Sequence, residues 1–232
     1  MIRIRAYRAI DDTATCEKFV EGHMKILKAF GITMITSANV EWFQDPDTYV
    51  IVAEDPDNGK VLGGARVQRA GGLYPLPIEK AVKDHDDSIH EVVQEYSKEG
   101  TAELCGLWNS REIAGMGIGS VFLTRTAVCI APQIGLKSMF ALCAAYTVQM
   151  AQKAGYRIAT FLGNNGTFYY PKEDLVATAM LLHDAEDLST ADPQERDEIL
   201  SLRENPLQVK TEAGRRGATF ELLYDLQIKR TI

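Results

Sequence analysis

The chain has 232 residues, 46% hydrophobic and 25% charged, which fits one soluble α/β domain with a substantial core. A formal net charge of −7 argues against a nucleic-acid partner, which needs clustered lysine and arginine, yet local amides and dipoles can still hold a small anion. No apolar run of about 18 residues appears, and the N-terminal Met1-Ile-Arg-Ile-Arg-Ala-Tyr-Arg8 does not have the form of a signal peptide; the expected location is the cytoplasm.

Ile2–Tyr7 alternates as a first strand, and Asp11 and Asp12 precede a helix to about Ala29 with Cys16, Phe19, Val20, Met24 and Leu27 on one face. Gly31 ends it, and Ser37–Phe43 reads as a short second helix. Tyr49–Ala53 and Val61–Val67 flank the turn signal Asp55-Pro-Asp-Asn-Gly59 and form a hairpin. Pro75–Gly100 is a charged helical insert with Ile89, Val92, Val93 and Tyr96 at helical spacing. A strand from about Ala102 follows, then a glycine-rich turn and a helix ending before Pro132. Leu136–Cys143 is the next strand and Ala144–Ala154 a helix closed by Gly155. Val176–Leu182 and Thr219–Leu226 read as a closing antiparallel pair, separated by a helix Pro193–Arg203 and a polar loop. No internal repeat is visible, so one domain, 1–232, is expected.

The chemistry concentrates in Glu103-Leu-Cys-Gly-Leu-Trp-Asn-Ser-Arg-Glu-Ile-Ala-Gly-Met-Gly-Ile-Gly-Ser120, a strand that runs into glycines and opens into an apolar-periodic helix. A helix N-terminus carries unsatisfied N–H groups and partial positive charge, and glycines before it let backbone approach an anion, so the unit suits a phosphate or pyrophosphate. A tight connection is the alternative. The segment lacks the lysine of a triphosphate loop, and Ser120 stands where the dinucleotide fingerprint requires glycine or alanine.

This segment resembles the cofactor loop of the GNAT acyltransferase superfamily, in which the fourth strand ends in Leu-x-Val-x-Pro-x-x-Arg-Gly-x-Gly-x-Gly. The corresponding residues are Leu107, Asn109, Arg111, Ala114, Gly115, Gly117 and Gly119, with departures at Asn109, Arg111 and Ala114. The order of elements is also similar. The resemblance implies a mixed, mostly antiparallel sheet flanked by helices, with the fourth and fifth strands splayed and Gly106 at a bulge position. It further implies an acetyl-CoA or other acyl-CoA cosubstrate held by Leu107, Trp108, Asn109, Arg111, Ala114, Gly115, Met116, Gly117, Ile118, Gly119 and Ser120, with no metal. The acceptor would be a small-molecule amine and the donor coenzyme A or an acyl carrier protein; a homodimer is left open.

The insert containing Pro75-Leu-Pro-Ile78 is similar to the branch of acyl-homoserine-lactone and long-chain N-acyl amino acid synthases, whose fourth strand carries Glu-x-Ser-Arg-Leu-x-Val. Glu103 and Leu107 match; Cys105, Gly106 and Asn109 do not, and Gly106 in place of the arginine counts against a homoserine-lactone synthase. The resemblance implies that the insert and the late helix cover an apolar acyl tunnel; the alternative is an acceptor pocket in a short-donor enzyme, which the missing arginine favours. Glu103, on the face expected to carry Cys105 and Leu107, is the implied general base, or else a carboxylate paired with arginine at the sheet edge. The tyrosine that GNAT enzymes often use as general acid falls at Ala151 or Gln152; Tyr146, one turn earlier, is the candidate acid or a packed helix residue. A non-catalytic thioester-binding module would tolerate both departures.

Other residues carry less. Cys16, Cys105, Cys129 and Cys143 are widely spaced in apolar segments and read as buried reduced thiols, with Cys105 or Cys143 as nucleophile the minor alternative. His85, Asp86, Asp87, His90 and Glu91 allow a metal by spacing but fit a solvated helix face. Arg203 and Arg215-Arg-Gly217 are candidate anion holders or surface loops.

Overall fold

The computed structural model describes residues 1–32, 39–115, 118–214 and 219–228. Strand β1 (Ile2–Arg8) leads into helix α1 (Thr13–Ala29), whose first turn is capped by the Asp12 side chain accepting from the Thr15 amide at 3.0 Å. Cys16, Phe19, His23 and Leu27 recur at helical spacing and form the buried face of α1. The expected helix at Ser37–Phe43 lies partly outside the described residues; Glu41–Gln44 is a 3-10 turn. Strands β2 (Thr48–Asp55) and β3 (Lys60–Arg69) form the expected hairpin, with Gly59 at φ +65° in the turn.

The insert is two helices, α2 (Pro77–Val82) and α3 (Ile89–Ser97). Then come β4 (Ala102–Asn109), a short α4 (Arg111–Gly115), α5 (Ser120–Ile130) and β5 (Met139–Ala144). The helix expected over Ala144–Ala154 is a 3-10 turn, Ala145–Thr147, followed by α6 (Val148–Lys153). The remainder is β6 (Arg157–Ile158), β7 (Thr167–Tyr169), β8 (Val176–Leu182), α7 (Pro193–Glu204), β9 (Leu207–Ala213) and β10 (Thr219–Asp225).

The strands join in one sheet of order β6-β8-β5-β4-β3-β2-β1-β10-β9, with β7 also on β8. Only β1–β10 and β4–β5 are parallel, so the sheet is mostly antiparallel, as expected. The expected closing pair is corrected: Val176–Leu182 pairs with β5, whereas Thr219–Asp225 pairs with β1 and β9 toward the opposite edge. The polar segment read as a loop before it is β9, an edge strand of inverted pattern. Leu207 and Val209 are exposed, while Glu212 turns inward to Arg125 and Tyr224.

Helices cover both faces. On one, α5 and α7 pack over Leu104, Met139, Ala141, Met180 and Leu182 in the largest core cluster. On the other, α2 and α3 pack over Phe140, Ala179 and Leu181, and α1 packs over Val50, Val52 and Trp108. The insert and the late helix therefore sit on opposite faces, which corrects the expectation that together they roof one tunnel. Period-two alternation along β5 and β8 enforces this, sending Met139 and Ala141 one way and Phe140 the other.

Candidate active site at the split between the fourth and fifth strands

Parallel pairing of β4 with β5 is limited to Glu103↔Phe140 and Leu104↔Ala141, although β4 continues to Asn109 and β5 to Ala144. Beyond those pairs the two strands diverge, and the facing edge of β4 is left without its neighbour's ladder. On its other edge β4 stays paired with β3 out to Gly63↔Asn109, with a bulge: Gly64 and Arg66 oppose Trp108 and Cys105. The bulge centres on Gly106, at φ +60°, a backbone conformation that glycine adopts without a Cβ penalty. The extra residue inverts the alternation. Trp108 joins Glu103 and Cys105 on the α1 side, and Leu107 goes with Leu104 to the α5 side, correcting the expected shared face of Glu103 and Leu107.

The glycine-rich stretch is more structured than a bare turn. Ser110 begins a helical segment: its carbonyl accepts from the Ala114 amide at 3.1 Å, and the Ile118 amide returns to the Ile113 carbonyl at 3.1 Å. Arg111 and Ala114 are exposed, Ile113 and Ile118 buried. Met116 and Gly117 lie outside the described residues, as do Arg215, Arg216 and Gly217. Helix α5 starts at Ser120 behind an extended Gly119, which supplies no side-chain cap, so among the described residues its first turn is uncapped. Asn109 donates from Nδ2 to Ser120 Oγ at 2.9 Å, tying the end of β4 to the start of α5. Asn109, Gly119 and Ser120 thus meet where the strands diverge, with half-buried Leu107 just inside and Trp108 sequestered against Phe19.

Glu103 is 2% exposed beneath the insert, and its Oε2 accepts from the Ile78 amide at the start of α2 at 2.6 Å. Desolvation pushes its carboxyl up from 4.5 to about 8; the Ile78 hydrogen bond and the Arg66 charge pull the other way, and Glu79 adds to the rise. On β3, register pairs Gln68 with Glu103 and Arg66 with Cys105, so these four share a face. Gln68 donates to the Tyr74 and Pro75 carbonyls at 3.2 and 3.1 Å, which pins the insert over the sheet. Arg66 is 1% exposed, donates from Nε to Cys105 Sγ at 3.2 Å and lies 4.8 Å from the Trp42 ring centroid. His23, also buried, is held neutral well into the acid range, its pKa lowered to about 4 by desolvation and by Arg66. A narrow cleft with room for about one water, about 10 Å³, is lined by Asn39, Trp42, Arg66, Gln68, Tyr74 and Lys80 together with Pro75 and Pro77.

Tyr146 follows the open end of β5 and is 84% exposed, which corrects the packed-helix alternative. Ala151, where the usual acid would stand, is packed into the core. All four cysteines are free and buried; desolvation raises Cys105 to about 12 and Cys143 to about 11, keeping both as thiols at neutral pH. In the insert, His90 Nδ1 pairs with Glu79 Oε1 at 2.8 Å and Asp86 caps Ser88 and the Gly163 amide, and among the described residues no cluster of three metal-ligating side chains forms. Arg203 donates to the carbonyls of Glu186, Val128 and Ala185 and so fastens α7 to the core. Sequence reasoning missed Arg66, because a lone arginine in an apolar strand gives no motif; its signal was charge where β3 is otherwise buried on both faces.

No protein-family model matches the chain, and no curated protein matches it in sequence. Its fold is the GNAT fold of N-acyltransferases. The N-acyl amino acid synthase FeeM from uncultured soil microbes superposes with a TM-score of 0.62 at 11% identity, over 82% of this chain and 99% of that one. Escherichia coli ElaA gives 0.53 at 10% identity over 78% and 99%. The CoA-dependent acyl-homoserine lactone synthase BjaI, solved with SAM and isopentyl-CoA, gives 0.50 at 14% identity over 93% and 95%.

Proposed function

We propose that the protein is a GNAT-type N-acyltransferase that moves an acyl group from a coenzyme A thioester to a small amine. The observation that carries this reading is the divergence of β4 from β5 after two residue pairs, with the uncapped start of α5 at the same end. An extended pantetheine arm can add to the free β4 edge as a further strand would, and the α5 amides suit its phosphates. The amides from Gly115 to Ser120 are the proposed pyrophosphate cradle, with Leu107, Trp108 and Asn109 supplying strand backbone and Arg111 and Ala114 flanking it.

Glu103 is the proposed base. The attacking amine loses a proton, the C–N bond forms at the thioester carbonyl, and the C–S bond breaks to release a thiolate, which takes a proton from Tyr146 or water. Glu103 is covered by Ile78 and Gln68, so its proton arrives through water. A raised pKa suits that role, since a base works best when its proton affinity is near the working pH. With both central thiols protonated, transfer runs in a direct ternary complex rather than through an acyl-cysteine.

A short acyl donor fits best. The space between insert and sheet is occupied by Leu76, Ile78, Val82, Ile89, Val93, Phe140, Leu162 and Phe168. An acyl carrier protein as the alternative donor to coenzyme A, and a cytoplasmic location, belong to the same proposal. Calorimetric titration with coenzyme A and acetyl-CoA tests it, followed by turnover of acetyl, hexanoyl and palmitoyl donors. Heat of binding and preference for the short donors support the reading, and absence of binding removes it.

A further inference from the structure

Two buried carboxylates serve one helix start. From β4, Glu103 Oε2 accepts from the Ile78 amide at 2.6 Å; from within α2, Glu79 Oε2 turns back to accept from the Leu76 amide at 2.7 Å. Glu103 is 2% exposed and Glu79 9%. The other Glu79 oxygen, Oε1, lies 2.8 Å from His90 Nδ1 on α3, and the His90 side chain is 51% exposed. One carboxylate is thus sealed beneath the insert, and its neighbour connects to a ring in contact with water. Capping accounts for the Leu76 bond, but it requires neither a second carboxylate at the same buried turn nor a histidine on the other oxygen.

We propose that Glu79 and His90 act through space as a pair that sets the charge state of Glu103: the Glu79 carboxylate opposes ionisation of Glu103, and the His90 ring, when protonated, relieves that opposition. That Glu103 is the base of an acyl transfer rests on the acyltransferase reading; the coupling rests on the shared helix start. Like charges held close in a poorly solvated site disfavour each other, and a cation beside one of them weakens the effect. The other groups around Glu103 do not reproduce this arrangement. Arg66 on β3 favours its ionised form, and Cys105 on β4 and Cys143 on β5 remain thiols. Gln68 on β3 is uncharged, and Tyr96 on α3 packs edge-on against Phe140. In the insert, Asp86 is held by Ser88 and the Gly163 amide, whereas Lys80, Lys83, Asp84, His85, Asp87 and Glu91 are exposed, where water and salt screen them. Glu79 and His90 are positioning residues in this role, acting on the reaction only through Glu103.

Carbon-13 NMR of protein labelled at the glutamate side-chain carboxyl tests the coupling from pH 5 to 10, with the Glu103 signal assigned by its loss in Glu103→Gln. Glu79→Gln keeps an acceptor for the Leu76 amide and removes the charge; it should lower the Glu103 midpoint by about 0.5–1.5 pH units. His90→Lys leaves both carboxylates in place and puts a lasting cation beside Glu79; it should lower the midpoint as well, by a smaller amount. The acid limb of the kcat/KM profile should move in the same direction, which a purely structural role would not produce. A midpoint that stays put or rises in either variant would overturn the proposal, and if Glu79→Gln fails to fold, His90→Lys decides alone. The titration needs no substrate, so the two readings fail separately. Lowered midpoints without acyl-CoA turnover keep the coupling and remove the acyltransferase, whereas turnover with unmoved midpoints does the reverse.

Discussion

Replacing Glu103 by Gln separates stability from catalysis with opposite signs. The carboxyl is buried, and its pKa rises from 4.5 to about 8, mainly by desolvation. A carboxyl raised in the folded state binds its proton more tightly folded than unfolded. Its contribution is therefore fully present below about pH 4.5 and is lost as pH climbs through about 8. At about 1.4 kcal/mol per pH unit, complete loss is on the order of 3–5 kcal/mol. Glutamine keeps the shape and the acceptor for the Ile78 amide but cannot ionise. Urea unfolding from pH 4.5 to 9.5 should show the wild type losing stability relative to Glu103→Gln across that range, with the variant the more stable at the top. Turnover should move the other way, falling about 10²–10⁴-fold as expected for a lost acid–base group. Parallel pH–stability curves for the two proteins would refute the buried, proton-retaining carboxyl, and unchanged turnover would refute its role as base.

Wild-type kcat/KM should rise with pH and level off near pH 8, as Glu103 ionises, and a flat profile between pH 6 and 9 would count against it. Ser120→Asp should leave the melting temperature unchanged or higher, because a carboxylate suits a helix N-terminus, while weakening coenzyme A binding at least about tenfold by repelling its phosphates; equal affinity would detach the cofactor from α5. Gly22→Ala should destabilise by about 1–3 kcal/mol, since its new methyl would lie 2.1 Å from the Trp108 ring, and denaturant midpoints read the loss. Arg125→Ala strands Glu195 and Glu212 and should cost about 3–5 kcal/mol, also read by denaturation.

What the sequence revealed tracked how locally each feature is encoded. The α1 start at Asp12, the turn at Gly59 and the strand–glycine–helix unit are set by residues adjacent in the chain, and each was legible. The failures were long-range. Nothing in Val176–Leu182 or Thr219–Asp225 states which neighbour it takes, and β9 hid because its apolar Leu207 and Val209 are exposed while Glu212 faces inward to serve Arg125 and Tyr224. The bulge position of Gly106 was readable from the residue, but its effect on Leu107 and Trp108 needed the register of β3. Glu103 was found through its strand; Arg66 became visible only when pairing placed it beside Cys105.

The most direct test of the central claim is product analysis of the purified protein with acetyl-CoA and an amine panel that includes the amino acids. Free thiol and acylated amine are quantified by mass spectrometry in the same reaction. The account predicts thiol and amide in equal amounts, both dependent on the amine and both suppressed about 10²–10⁴-fold in Glu103→Gln. Thiol released without amide, or amide formed equally well by the variant, would contradict it.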